Sequence, residues 1–83
     1  MITGMQVRAA KALLNWSGTE LADRAGVGLS TIRRVEGCDL LLESASIKVL
    51  QSIQLALEEG GVEFVGTPED RPGVRLKGHY IST

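Results

Sequence analysis

An 83-residue chain with 43% hydrophobic and 23% charged residues is expected to be one small domain with a modest core. No apolar run approaches the ~18 residues of a membrane span, and MITGMQVRAAK is no signal peptide, so a cytoplasmic protein is expected. One cysteine, one histidine and one tyrosine form no catalytic constellation, internal disulfide or multi-cysteine zinc site. No enzyme activity, cofactor or metal is expected.

Net charge is −1, and it is distributed by segment. Residues 1–37 hold five bases (Arg8, Lys11, Arg24, Arg33, Arg34) against three acids. Residues 58–70 hold Glu58, Glu59, Glu63, Glu69 and Asp70 with no base, and Arg71, Arg75 and Lys77 follow. Segmental charge, more than the total, decides which face meets phosphate.

The first predicted helix runs from about Gly4 to Leu14. Thr3 and Gln6 form a T-x-x-Q capping box, and Val7, Ala10, Leu13 and Leu14 recur at helical spacing. Trp16 then precedes a second box, Ser17 with Glu20, where an apolar residue staples the helix start. That helix turns Leu21, Ala22 and Ala25 inward and stops at Gly26. A third begins near Leu29, with Ile32 and Val35 inward, and ends at Gly37. Glu36 at its end is expected in an internal salt bridge or capping a loop amide. CDLLLES (38–44) reads as an unusually apolar loop, with Cys38 a semi-buried small apolar residue. Ser46 caps a fourth helix striped by Val49, Leu50, Ile53, Ala56 and Leu57, which stops at Gly60-Gly61. Beyond it, VEFVG and GVRLK predict strands at about 62–66 and 73–77, joined by a turn-rich TPEDRP. GHYIST, with His79, carries no signal and is expected to fray. A helical domain 1–61 and a β extension 62–83 follow from this order.

AGVG between the second and third helices is the most constrained stretch. Helices joined so tightly must cross steeply, which demands positive φ at Gly26 and a small residue, Ala22, at the contact. Val27 leaves the turn inward, and Ile32 and Val35 face back to the core. These are the requirements of a helix-turn-helix.

The window resembles the helix-turn-helix of phage-repressor-like, xenobiotic-response-element type regulators. The matching residues are S-x-x-E-L-A at Ser17–Ala22, A-G-V at Ala25–Val27 and S-T-I-x-R-V-E at Ser30–Glu36. The resemblance spans roughly residues 3–61. It implies a mostly α, four-helix lambda-repressor-like domain, here with a short C-terminal two-stranded β element. Two departures stand out: Gly18 replaces the usual Gln after the capping Ser, and Gly28 replaces a polar cap. Both remove potential polar contacts with DNA.

In such a motif the second helix of the pair, about 29–36, enters the major groove with its N-terminal residues toward the base edges. Helical geometry puts Leu29, Ser30, Arg33 and Arg34 outward. Arg34 is the candidate base reader, since a guanidinium fits guanine O6 and N7. Ser30 is a candidate for a base or phosphate, and Leu29 for a thymine methyl. Arg33, Arg24, Thr31, Ser17 and Thr19 are candidates for phosphate. The bland alternative leaves Arg33 and Arg34 as solvated charges, Arg34 paired to a neighbouring acid.

The function these features imply is sequence-specific binding of double-stranded DNA, at a pseudo-palindromic operator, by a small transcriptional regulator. One half-site gives limited binding energy, so a homodimer is expected, through Leu55, Leu40–Leu42 or the open edges of the ribbon; the alternative for Leu40–Leu42 is that they seal the bottom of the core. The alternative is a protein-interaction module, such as an antitoxin-like partner-binding protein, favoured by the acidic segment and by Gly18.

Overall fold

The computed structural model describes residues 2–37, 47–67 and 69–77. The expected loop 38–44 with Cys38 and Leu40–Leu42, the Ser46 cap and the tail with His79 lie outside them. Four helices are described: α1 (Gly4–Leu14), α2 (Gly18–Ala25), α3 (Leu29–Glu36) and α4 (Ile47–Glu59). They are followed by β1 (Val62–Thr67) and β2 (Asp70–Leu76), which form one antiparallel hairpin. The chain is mostly helical, and no described helix is long and apolar enough to cross a membrane.

Local sequence explains each helix start. Thr3 Oγ1 accepts from the Gln6 N–H at 3.1 Å, and Gln6 Oε1 accepts from the Thr3 N–H at 2.9 Å, closing the capping box. Asn15 ends α1 in the left-handed region at φ 58°, a conformation asparagine tolerates. Ser17 Oγ accepts from the Glu20 N–H at 3.1 Å, but the reciprocal half of the expected second box is absent. Arg24, one turn on, takes the Glu20 carboxylate instead, at 2.6 Å. α4 stops where Gly61 takes φ 116° and its N–H bonds the Glu58 carbonyl.

The expected strand bounds need correction. β2 begins at Asp70 rather than 73, so most of TPEDRP belongs to the hairpin. Thr67 pairs with Asp70, and the ladder is irregular between Val65 and Thr67. Gly66 (φ 76°) faces Arg71 (φ 52°) there, and a Cβ on Gly66 would run into the Arg71 carbonyl. This irregularity accommodates Pro72, which a regular central strand would reject.

One core joins helices and hairpin. Val7 and Ala10 of α1, Leu21 of α2, Ile32 of α3, Ile53 and Leu57 of α4 and Val62 of β1 are fully buried together. Phe64, Val74 and Leu76 pack against that cluster from the sheet. Ala25, expected inward, is half-buried at its edge. Trp16 lies against Gly60, where an added Cβ would stand 2.7 Å from Cη2 of the indole. Burial at this scale is the main favourable term in the stability of so small a domain.

Candidate nucleic-acid interface

Three residues, 26–28, separate α2 from α3. Gly26 takes φ 72°, and the N–H groups of Gly26 and Val27 both reach the Ala22 carbonyl, at 2.9 and 3.1 Å. That double bond to one carbonyl ends α2 sharply. Val27 packs half-buried against the core, as its expected inward direction requires. Gly28 starts α3 in extended backbone with no side chain to cap the helix.

The inner face of α3 is apolar and buried through Ile32 and Val35. Its far end is tied to α1. The Lys11 ammonium lies 2.6 Å from Glu36 Oε2, with only 18% and 16% of the two side chains exposed. That carboxylate oxygen is buried without a well-aligned hydrogen bond, so charge and contact hold the pair. Arg8 donates to the Glu36 backbone carbonyl, placing a cation on the negative end of the α3 dipole. Glu36 thus makes the internal salt bridge expected of it. Sequence reasoning missed its partners; the spacing of Arg8 and Lys11 on one face of α1 was the available signal.

With both ends set, α3 presents a polar outer face. Ser30, Arg33 and Arg34 are exposed. Neither arginine has a hydrogen bond or ion pair among the described residues, so Arg34 is not paired to a neighbouring acid there. The other arginines are engaged: Arg8 with Glu36, Arg24 with Glu20, Arg71 with Asp70 and Arg75 with Glu63. Successive helical residues diverge by about 100°, so Arg33 and Arg34 sweep two sides of the same face, with Ser30 behind both.

The remaining candidates sit differently. Leu29 is half-buried and packs against the core rather than standing outward. Its Cδ1 lies 3.2 Å from where a Cβ on Gly18 would be, so the glycine makes room for it. Thr31 is half-buried, whereas Ser17 and Thr19 are exposed at the start of α2. The Ser17 hydroxyl is already occupied in capping. The Arg24 guanidinium stacks 4.3 Å above the Trp16 ring while bonding Glu20, which holds it against its own helix.

Among the described residues no three His, Cys, Asp or Glu side chains are grouped to hold a metal ion. The surface chemistry on offer is a pair of guanidiniums, without partners among the described residues, on a helix whose inner face is buried. Compared with known proteins, the chain matches no family profile and no curated relative.

Proposed function

We propose that this chain is a small sequence-specific DNA-binding regulator of the lambda-repressor-like helix-turn-helix type. α3 enters the major groove of a pseudo-palindromic operator, and a homodimer places two such helices on two half-sites. The observation that carries this reading is the state of Arg33 and Arg34. They are exposed and unpaired among the described residues, on a helix whose inner face and C-terminal end are both held by the rest of the domain. Exposed guanidiniums without a partner among the described residues suit phosphate and guanine recognition. Arg34 reads a base and Arg33 a phosphate, with Ser30 beside them.

The test is fluorescence anisotropy with the DNA upstream of the protein's own coding sequence, titrated with salt. Log affinity should fall linearly with log salt, by about 0.9 per neutralised phosphate. A flat response would favour a second reading, a protein-interaction module of antitoxin-like kind. That reading draws on α4, where Ile47 and Leu55 are 62% and 55% exposed.

A further inference from the structure

Three helices meet at Gly18. A Cβ added there would stand 3.2 Å from Leu29 Cδ1 of α3, 3.9 Å from Ile32 Cγ2 of the same helix and 3.8 Å from the Lys11 ammonium of α1. The first separation is tighter than ordinary van der Waals contact, so Leu29 occupies space that a longer residue at 18 would need. Leu29 is accordingly half-buried and packed against the core. Gly18 is the first residue of α2, outside the left-handed region. Its missing side chain therefore matters for packing, not for backbone conformation.

Leu29 lies at the edge of the outer face of α3. With about 100° per residue, it stands about 90° from the midline of the buried pair Ile32 and Val35, and Arg33 about 130° on the same side. Ser30 is nearly opposite that midline, and Arg34 lies on the other flank. A side chain at such an edge turns to the core or to the outer face, and its neighbour decides which. Here the neighbour is bare, and Leu29 turns in. The outer face is left with Ser30, Arg33 and Arg34, all polar and all exposed.

We infer that Gly18 is a specificity-determining position of the proposed DNA contact. By holding Leu29 out of the groove, it makes the readout of α3 wholly polar and leaves a thymine methyl at that step unread. This rests on the DNA reading. Thymine carries a C5-methyl group in the major groove, and an apolar side chain detects it. Leu29 is the apolar residue at the N-terminal end of α3, the end that meets base edges in this geometry. A side chain at 18 claims the space of Leu29 Cδ1, swings Leu29 toward Arg33 and supplies the missing apolar contact. Alanine asks Leu29 for a shift of a few tenths of an ångström, which the flexible leucine tip gives in place. A β-branched valine also fills the space beyond its Cβ and leaves Leu29 no room.

The test compares the full chain with Gly18→Ala, Gly18→Val, Leu29→Ala and the double variant Gly18→Val/Leu29→Ala. Each is put through selection from randomised DNA, with circular dichroism confirming the fold. Gly18→Val should gain a thymine at one position of each half-site, by about fourfold, the worth of one buried methyl group. Replacing that thymine with deoxyuridine, which lacks only the methyl, should remove the gain for the variant and change nothing for the parent. Gly18→Ala and Leu29→Ala should keep the parental consensus, and the double variant should return to it. A gain that survives in the double variant does not come from Leu29 and overturns the inference. Magnetic resonance reads the packing without DNA: the Leu29 methyl should contact the Hα of residue 18 in the parent and lose that contact in Gly18→Val. A parental consensus that loses a thymine on Leu29→Ala, a test that stands even if Gly18→Val does not fold, would overturn the inference and leave the DNA reading intact. So would a folded Gly18→Val with the parental consensus. A parent that selects no sequence would overturn the DNA reading, and the specificity role of Gly18 with it.

Discussion

Gln6 reaches across the domain to Gly73: its Nε2 donates to the Gly73 carbonyl at 3.0 Å and to the Val65 carbonyl at 3.4 Å. The same side chain closes the α1 capping box through Oε1, so one buried residue starts a helix and docks a hairpin. Gln6→Leu leaves the Thr3 N–H without its acceptor and both strand carbonyls without this donor. The expected cost is about 1–3 kcal/mol, from buried polar groups losing partners. Urea unfolding measures it, and amide exchange should show the hairpin opening before the helices. Equal protection of hairpin and helices in the variant would mean that Gln6 is not the anchor.

What the sequence made legible was local. The bounds of α1, the Gly26 turn and the inward set Leu21, Ala22, Ile32 and Val35 all follow from spacings of three and four residues. Relationships between distant segments were not legible. Nothing in Thr3–Gln6 announces that the glutamine also bonds residue 73. Asp70 and Pro72 look like turn residues, and only the irregularity at Gly66 and Arg71 makes them strand. Leu29 follows a helix start, and helical angle alone points it outward. Its burial depends on Gly18, eleven residues earlier, having no side chain. In the second capping box Arg24 outcompetes the backbone for Glu20, a contest that spacing cannot decide.

Two glycines are required for different physical reasons, and substitution separates them. Gly26 has φ 72° and open space around its Cβ direction, so its constraint is conformational. Gly60 has no such φ, but an added Cβ would stand 2.7 Å from Trp16 Cη2 and 2.9 Å from Leu14 Cδ1. Gly26→Ala should cost about 1–2 kcal/mol, and Gly26→Asn clearly less, because asparagine tolerates the left-handed region. Gly60→Ala should cost about 1–3 kcal/mol by overpacking, with Gly60→Asn no better. Thermal melts of the four variants give the comparison. Asparagine rescuing position 60 rather than 26 would reverse both assignments.

Gly28 invites improvement. It caps α3 from φ −75° and ψ 153°, which any residue adopts, and donates no side-chain bond. An added Cβ would meet only the Ser30 hydroxyl, at 3.9 Å. Gly28→Ser should stabilise the fold by a few tenths to about 1 kcal/mol, through one cap bond and a less flexible unfolded chain. An unchanged or lower denaturation midpoint would show that the cap bond does not form.

Acid should weaken the hairpin through one pair. Arg75 bonds the Glu63 carboxylate and holds it below its ordinary titration range, while Glu63 raises Arg75. A carboxylate depressed in the folded state stabilises above its unfolded pKa and loses that contribution as pH falls through the folded value. The stability gap between the wild type and Glu63→Gln should therefore be open at neutral pH. It should close below about pH 4, the ordinary glutamate range. Both groups are exposed, so the gap should also shrink in high salt. A gap that widens on acidification would reverse the assignment.

The twin arginines divide the proposed DNA contact between sequence and charge. Arg34 lies one turn after Ser30, and residues four apart stack along a helix, so its guanidinium follows the line from the helix start toward the groove floor. Arg33 is rotated from it by about 100°, toward a phosphate strand. Both are exposed and unpaired among the described residues, so truncation breaks no hydrogen bond or ion pair with those residues. Arg34→Ala should cost about 1–3 kcal/mol of binding and relax preference at one base pair per half-site. Arg33→Ala should weaken binding to all sequences and make the salt slope shallower by about one phosphate per subunit. Selection from randomised DNA with each variant reads the difference, with circular dichroism confirming the fold. If Arg33→Ala instead loses a base and Arg34→Ala keeps the full consensus, α3 meets the groove on its other side. If neither variant changes affinity or consensus, the two guanidiniums are a solvated face and the DNA reading fails.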